Sequence, residues 1–265
     1  MSFSASQAGE LDRFAALGYW LTEITRSVSM RYFRGDYVTE TKEDASPVTV
    51  ADRECERLMR EEIRRTFPDH GIIGEEGGSD RPGASHVWVL DPIDGTKAFV
   101  SGRPVFGALV ALCRDGKPIL GLIDCPAIED RWVGIAGRPT SHNDMPCRTR
   151  SCEKIGSALL YSTSPYMFEG ADAAPYDRLR QRVKYPLFGG DCHNYGLLAS
   201  GWIDLVVEAQ MKVHDYAALV PILEGAGGTI TDWSGAPLGL ESDGRILASG
   251  DARIHSAAIE LLATA

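Results

Sequence analysis

Two aspartates that stand three positions apart are the residues in this chain best suited to chemistry. They belong to the segment Asp91-Pro92-Ile93-Asp94-Gly95-Thr96, which follows the apolar run Val87-Trp88-Val89-Leu90. The run is typical of a buried strand, so both carboxylates should emerge at its C-terminal end, with Pro92 fixing φ between them. Hard oxygen ligands beside the open N–H groups of Gly95 and Thr96 suit a divalent cation and a phosphate group. A plain turn is the alternative, because Asp, Pro and Gly are all turn residues.

Two further acidic positions follow the same pattern of a carboxylate at the end of a regular element. The short β-like run Ile72-Ile73-Gly74 leads into Glu75-Glu76 and then into two glycines, which demand a turn. Asp215 stands at the start of an apolar helical stretch that extends to Ala226. Capping of that helix is the simpler role for Asp215. The two roles are compatible, because a capped helix start holds the carboxylate still.

The order and spacing of these three acidic segments resemble the inositol monophosphatase superfamily. The likeness extends from Pro47-Val48-Thr49 to Gly228 and so covers most of the chain. Residues 94–99, 121–126 with 131–134, and 189–196 are most similar to the histidinol-phosphate phosphatase branch. The inositol phosphatases usually carry Thr-Asn at the positions of Lys97 and Ala98. The resemblance therefore implies a phosphatase, with histidinol phosphate as the preferred substrate.

The resemblance also implies a mixed fold, α+β to α/β, built as a layered α-β-α-β-α sandwich of the inositol monophosphatase and sugar phosphatase type. Apolar periodicity predicts a helix over residues 9–33, and a capping box over residues 49–52 predicts a second helix that extends to about Phe67. Asp115-Gly116 predicts a hairpin between strands 105–113 and 119–123. A polar stretch over residues 136–152 is the candidate boundary. We expect an N-terminal metal-binding α+β half, residues 1–145, and a C-terminal α/β half that selects the substrate, residues 146–265. Further strands are predicted over 131–135, 158–162, 203–208 and 245–249, and further helices over 177–183, 194–200, 216–226 and 254–262.

The superfamily's metal ligands are all present at matching positions. The resemblance implies that one Mg²⁺ is held by Glu75, Asp91 and the Ile93 carbonyl, and that a second is shared by Asp91, Asp94 and Asp215. Two or three Mg²⁺ ions per active site are expected. Lys42 and Asp44 lie in a loop that, in relatives, folds over the site and helps to hold a weaker third cation. A solvated loop is the alternative role for these two residues.

The catalytic roles implied by the resemblance fall on Glu75, Thr96 and Asp52. The Thr96 hydroxyl would orient the attacking water and pair with Asp52, while Glu75 would help to remove the water proton. The N–H groups of Gly95 and Thr96 would bind the phosphate. Asp52 has an alternative role, because Thr49-Val50-Ala51-Asp52 is typical of a helix capping box.

Substrate selection is expected from Glu208 and Asp191 in the C-terminal half. Glu208 lies seven residues before Asp215, at a family position that reaches the alcohol part of the substrate. Two carboxylates there would suit a cationic group such as the amine of histidinol. A solvated charge is the alternative for Glu208, and a helix N-cap is the alternative for Asp191.

Composition limits the remaining possibilities for this 265-residue chain. A net charge of −10 argues against non-specific nucleic-acid binding, which needs basic patches. Neither a signal peptide nor a long apolar span is visible, so we expect no membrane partner. The six cysteines form no Cys-x-x-Cys pair and are typical of reduced thiols in a cytoplasmic protein.

We therefore predict a cytoplasmic, Mg²⁺-dependent phosphate monoester hydrolase that converts histidinol phosphate to histidinol in histidine biosynthesis. The resemblance implies a homodimer. Inositol monophosphate is the alternative substrate. A nucleotide phosphatase is less favoured, because that branch usually has Leu at the position of Ile93. From another class, a non-catalytic partner-binding relative is the alternative, although such a protein would be expected to have lost metal ligands.

Overall fold

The computed structural model describes residues 5–36, 39–41 and 47–263. Lys42 and Asp44 lie outside the described residues, so their predicted loop role stays a prediction. The helices are α1 Ala5–Tyr32, α2 Val50–Thr66, α3 Thr96–Val100, α4 Ala173–Arg180, α5 His193–Ala199, α6 Val213–Tyr216, α7 Leu219–Gly225 and α8 Ala252–Leu262. The strands are β1 Thr39–Thr41, β2 Pro47–Thr49, β3 Gly71–Gly74, β4 Gly78–Asp80, β5 His86–Asp94, β6 Gly107–Arg114, β7 Lys117–Cys125, β8 Asp130–Ile135, β9 Ser141–His142, β10 Met145–Pro146, β11 Leu159–Ser162, β12 Tyr185–Phe188, β13 Leu205–Glu208, β14 Thr229–Thr231 and β15 Ile246–Ser249.

Two large mixed sheets carry the fold. The first has eight strands in the order β10-β9-β8-β7-β6-β5-β3-β4, and the second has five in the order β12-β11-β13-β15-β14. Strand β5 is central to the first sheet, where it pairs in parallel with β3 and antiparallel with β6. Hydrophobic cores cover both faces of β5, which explains why its sequence is a continuous apolar run.

The side chains of the strands alternate between separate cores, which defines the layers. Val87 and Val89 of β5 face the core shared with the second sheet, whereas Trp88 and Leu90 pack against α1 and α2. On the far side of the second sheet, a third core contains side chains of α4 and α8. The order is therefore helices, sheet, helices, sheet, helices, and the predicted α-β-α-β-α sandwich is confirmed.

The element predictions are confirmed where the local pattern is strong. Helices α1 and α2 form, the capping box of α2 is present at Thr49 and Asp52, and β6 and β7 form the predicted antiparallel hairpin. The helix predicted over residues 177–183 instead ends at Arg180 in α4. Strands β4, β12 and β14 were not predicted, because each has only three or four residues. Strands β12 and β14 also form by pairing with strands more than ten residues away along the chain.

The single helix predicted over residues 216–226 is wrong. The segment forms two helices, α6 and α7, with a break at Ala217 and Ala218. Pro221 has no N–H to donate to the carbonyl four residues earlier, which favours the break. The backbone of this segment also packs directly on the first sheet. A Cβ atom built on Gly121 of β7 would lie 2.7 Å from the Ala218 carbonyl carbon.

The division into halves at residues 145 and 146 stays a prediction. The first sheet ends at β10, close to the predicted boundary. However, one hydrophobic core contains side chains from both sheets, including Leu109 and Val206. Nor does any helix among the described residues combine the length and apolar character that a membrane span requires.

Candidate active site

Three carboxylates from two elements meet at the end of strand β5. Oxygen atoms of Asp91, Asp94 and Asp215 all lie within 4.8 Å of one another. The register between β5 and β6 shifts between Asp91 and Asp94, and such a bulge redirects side chains. Asp215 is brought to this point by α6, where it is the third helical residue. It is therefore not the N-cap, a position that Lys212 occupies.

Each of these carboxylates accepts a hydrogen bond from a backbone N–H, which fixes its orientation. The donors are Ile93 to Asp91 Oδ1 at 3.1 Å, Cys192 to Asp94 Oδ2 at 2.6 Å and Lys212 to Asp215 Oδ2 at 2.7 Å. A carboxylate offers about four acceptor positions, so one N–H leaves the others open for a further ligand.

Burial and mutual repulsion dominate the electrostatics of the cluster. Burial raises the pKa of Asp91 well above its usual value, and the charges of Glu75, Asp94 and Asp215 raise that pKa further. Burial likewise raises the pKa of Asp94, followed by the charges of Asp191 and Asp215. Glu75 also shares a side-chain hydrogen bond with Asp91, so this glutamate belongs to the same cluster. Crowded hard oxygen ligands with unneutralised charge fit a bound divalent cation such as Mg²⁺.

Thr96 contacts Asp52, its predicted partner, and also the carbonyl of Ile93. Its Oγ1 lies 3.1 Å from the Ile93 carbonyl oxygen and 3.5 Å from Asp52 Oδ1. The Asp52 carboxylate also accepts the Thr49 N–H at 2.8 Å and the Thr49 hydroxyl at 2.5 Å. Asp52 therefore caps α2 and reaches Thr96 at the same time. Burial raises the pKa of Asp52, although the hydrogen bonds from Thr49 lower it.

The turn predicted to bind phosphate lies against Asp191. Gly95 has φ of +79° and precedes α3, whose first residue is Thr96. A Cβ atom on Gly95 would stand 2.9 Å from the Asp191 carboxyl carbon, so the close approach requires glycine. Asp191 follows two glycines in a turn in which all three residues have positive φ: +94° at Gly189, +110° at Gly190 and +47° at Asp191. The alternative prediction, that Asp191 is a helix N-cap, is wrong, because Cys192 is the N-cap residue of α5.

Burial and nearby cations have opposite effects on the pKa of Asp191. Burial raises its pKa to about 6, while the nearby cations Arg103 and Lys97 act in the opposite direction. Asp191 in turn raises the pKa values of Asp94 and Glu208. It is therefore close to both the acidic cluster and the predicted substrate-selecting residue.

Glu208 is buried, so its alternative role as a solvated charge is wrong. Only 2% of the residue is exposed. Its carboxylate accepts the Thr163 N–H at 2.9 Å, the Thr163 hydroxyl at 2.5 Å and the Tyr195 hydroxyl at 2.9 Å. Burial raises the pKa of Glu208 to about 7 in spite of these donors, which lower it.

Several residues at the site escaped the sequence reasoning. Thr163 and Tyr195 hold Glu208, and the Cys192 N–H holds Asp94. Thr163 comes next to Glu208 only because β11 and β13 pair in parallel, which no local pattern reveals. Glu56 and Arg60 could have been found, because they follow Asp52 at intervals of four residues on one helix face.

Comparison with known proteins agrees with this geometry. The model of the inositol monophosphatase family matches residues 11–265. The chain belongs to the inositol monophosphatase family. It is 48% identical to the bifunctional phosphatase IMPL2, chloroplastic, of Arabidopsis thaliana over 96% of this chain and 76% of the relative. It is 36% identical to the histidinol-phosphatase of Mycobacterium tuberculosis, over 80% of this chain and 83% of that protein.

A solved structure gives the same result for the fold. The inositol monophosphatase from Zymomonas mobilis superimposes with a TM-score of 0.88, at 43% sequence identity, over 98% of this chain and 99% of that chain. The predicted superfamily is thereby confirmed, and the chain is an inositol monophosphatase-family phosphatase.

The buried Glu208 predicts an unusual dependence of stability on pH in this phosphatase. Its pKa rises from 4.5 to about 7 on folding, so the folded protein holds a proton that the unfolded chain releases between these values. This contribution to stability is present below pH 4.5 and is lost as pH rises through 7. We expect Glu208→Gln to gain about 2–3 kcal/mol in free energy of unfolding relative to the unsubstituted protein between pH 5 and pH 8.

Urea unfolding in EDTA at several pH values measures that difference. Glu153→Gln serves as the control, because the Glu153 side chain is 73% exposed and should give a nearly constant difference. A constant difference for Glu208→Gln as well would show that Glu208 ionises normally in the folded protein.

Proposed function

We propose that this inositol monophosphatase-family phosphatase hydrolyses a small phosphate monoester with the help of Mg²⁺, and that histidinol phosphate is its substrate. The observation that carries the proposal is the meeting of Asp91, Asp94 and Asp215, with a second acidic pair, Asp191 and Glu208, beside them. The first group suits metal ions, and the second suits a cationic substrate.

The metal ligands are proposed on the basis of their oxygen atoms and positions. Glu75, Asp91 and the Ile93 carbonyl would hold one Mg²⁺, and Asp91, Asp94 and Asp215 would hold a second. Bound Mg²⁺ would neutralise the phosphate charge, acidify water and stabilise the leaving oxygen. Whether two or three ions bind stays a prediction.

The remaining chemistry is assigned to side chains around this cluster. The Thr96 hydroxyl, held near Asp52, would orient the attacking water, and Glu75 would help to accept its proton. The N–H groups of Gly95 and Thr96 would bind the phosphate. No residue of the described chain is needed as a covalent nucleophile in this scheme, in which water attacks phosphorus directly.

Recognition of a cationic alcohol is proposed for Glu208 and Asp191. Three donors from the protein occupy Glu208, which leaves room on its carboxylate for about one further N–H. A single ammonium or imidazole N–H could donate to that remaining acceptor position. The likeness to a histidinol-phosphatase at 36% identity supports the same substrate.

Inositol monophosphate is the second candidate. The structural neighbour at 43% identity is an inositol monophosphatase, and the relative at 48% identity is described as bifunctional. Glu208 could also accept a hydroxyl donor. We favour an enzyme over a non-catalytic binding protein, because Asp91, Asp94 and Asp215 lie together and Glu75 is hydrogen-bonded to Asp91.

The oligomeric state and the cellular location of the protein stay predictions. A homodimer is proposed on the family resemblance and on the exposed apolar edge strand β12, where Tyr185, Leu187 and Phe188 are between 37% and 53% exposed. Light scattering would give the molar mass in solution. A cytoplasmic location is proposed from the cysteine content, and cell fractionation would check it.

The proposed metal role predicts a large loss of activity when one central charge is removed. Asp91→Asn keeps the shape of the side chain but removes a charge that two cations would share. We expect phosphate release from histidinol phosphate to fall by at least about a hundredfold, the scale for one positioned electrostatic group. EDTA should abolish the activity of the unsubstituted enzyme, and added Mg²⁺ should restore it.

Asp69→Asn is the control, since Asp69 is exposed, lies in the turn between α2 and β3 and has no role in the proposed site. Near-normal turnover by Asp91→Asn, or by the enzyme in excess EDTA, would contradict the metal assignment. Inositol monophosphate and glycerol phosphate belong in the same panel, because preference for inositol monophosphate would replace the proposed substrate and leave the phosphatase assignment intact.

The proposed substrate role predicts a selective effect of Glu208→Gln. A charge-assisted hydrogen bond to an ammonium group contributes roughly 1.5–3 kcal/mol. At pH 8, where the carboxylate is ionised, we expect kcat/KM for histidinol phosphate to fall by about ten- to a hundredfold relative to glycerol phosphate. An unchanged ratio of the two kcat/KM values would remove Glu208 from substrate recognition. Glu153→Gln should leave the ratio unchanged.

A further inference from the structure

Helix α2 presents three charged side chains on one face toward the active site. Asp52, Glu56 and Arg60 are spaced four residues apart, and all three are at least nine-tenths buried. Residues at this spacing lie above one another on a helix. Asp52 reaches Thr96, as described above. Glu56 and Arg60 have no role in the proposed chemistry, and their burial therefore needs another explanation.

The Glu56 carboxylate holds the turn that carries Glu75. Its Oε2 accepts the Glu76 N–H at 2.7 Å, and its Oε1 accepts the Gly77 N–H at 2.8 Å. These two amides directly follow Glu75 in the chain. On the other side, the Glu75 N–H donates to the Leu90 carbonyl of β5 at 3.2 Å. The backbone around Glu75 is thus tied both to α2 and to the residue before Asp91.

Arg60 completes the support. Its Nε donates to Glu56 Oε1 at 2.6 Å, and its second nitrogen, Nη2, donates to the Gly78 carbonyl oxygen. The turn fits closely around both side chains. A Cβ atom on Gly77 would lie 2.7 Å from Glu56 Oε1 and 2.8 Å from Arg60 Nε. The glycines beside Glu75 therefore let the turn pack directly on this buried ion pair.

We propose that Glu56 and Arg60 are positioning residues that hold the Glu75 carboxylate in its metal-binding place, so that α2 supports both Glu75 and, through Asp52, Thr96. Neither side chain is among the proposed metal ligands or substrate-binding residues. Their effect is on the geometry of a ligand, because a turn anchored on a buried ion pair by charge-assisted hydrogen bonds has few alternative conformations. The inference rests on the proposed Mg²⁺ site.

The structure explains why a charged pair is needed at this position. Two adjacent N–H groups and an arginine converge on one carboxylate, and a neutral glutamine would present an NH₂ group to at least one of these donors. The turn would then lose a hydrogen bond on one side of Glu75. Glu75 lies close enough to raise the pKa values of Asp52, Asp91 and Asp215 by its charge, so a shift of this turn would change the whole cluster.

Calorimetric titration of the metal-free protein with Mg²⁺, in the absence of substrate, tests the proposal directly. The variants are Glu56→Gln, Arg60→Lys and the double variant Glu56→Gln/Arg60→Gln, which leaves no buried charge unpaired. We expect the Kd for Mg²⁺ to rise by about tenfold or more in each, the scale on which outer partners of metal ligands act. The Mg²⁺ concentration for half-maximal phosphate release should rise in parallel, and KM for the substrate at saturating Mg²⁺ should change little.

The same helix offers a matched control. Arg57 and Glu61 form an ion pair of the same chemistry and spacing, at 2.7 Å, with side chains 57% and 58% exposed. Arg57→Lys and Glu61→Gln should leave the Kd for Mg²⁺ unchanged. A melting curve for each variant separates a positioning role from a purely structural one, because loss of stability alone lowers the melting temperature without changing the Kd.

The outcomes distinguish this inference from the proposed function. If the unsubstituted protein binds no Mg²⁺, the proposed metal site fails first. If it binds Mg²⁺ and the folded variants bind with the same Kd, the positioning role of Glu56 and Arg60 is overturned. Failure of all three variants to fold would overturn it as well, in favour of a structural role only.

Discussion

Repulsion among buried carboxylates is the constraint on which the rest of this structure depends. Asp91, Asp94, Asp215 and Glu75 are held close together, and the charges of Glu75, Asp94 and Asp215 all raise the pKa of Asp91. A chain free to rearrange would separate such groups or surround them with water. The surrounding elements must therefore hold them in place in the metal-free protein, and a bound cation would convert this repulsion into attraction.

The restraint comes mainly from the backbone and not from neighbouring cations. Single N–H groups from three different segments orient Asp91, Asp94 and Asp215. Backbone donors carry no formal charge, so they fix a carboxylate without competing strongly with a metal ion for it. Arg60 lies one step further away, behind Glu56, and supports the acidic cluster through that carboxylate.

Burial also raises the pKa of Glu208, the proposed substrate-binding carboxylate, but its surroundings differ from those of the acidic cluster. Glu208 is as deeply buried as Asp91, but it is surrounded by hydroxyl and amide donors and lies further from other carboxylates. Because its pKa is about 7, its protonated and ionised forms are similarly populated near neutral pH. A cationic group arriving there would favour the ionised form. Burial alone therefore does not define the role of a carboxylate, and the nature of its neighbours decides it.

The sequence by itself determined the features that depend on neighbours along the chain. These include the buried strand before Asp91, the capping box at Asp52, the hairpin at Asp115-Gly116 and, through motif order, the family and its layered fold. Only the tertiary structure decided which segments meet. The contacts of Cys192 with Asp94, of Thr163 with Glu208 and of Glu56 with the turn after Glu75 join residues between 20 and 98 positions apart. Such contacts follow from sheet pairing and helix packing, so short-range periodicity holds no information about them.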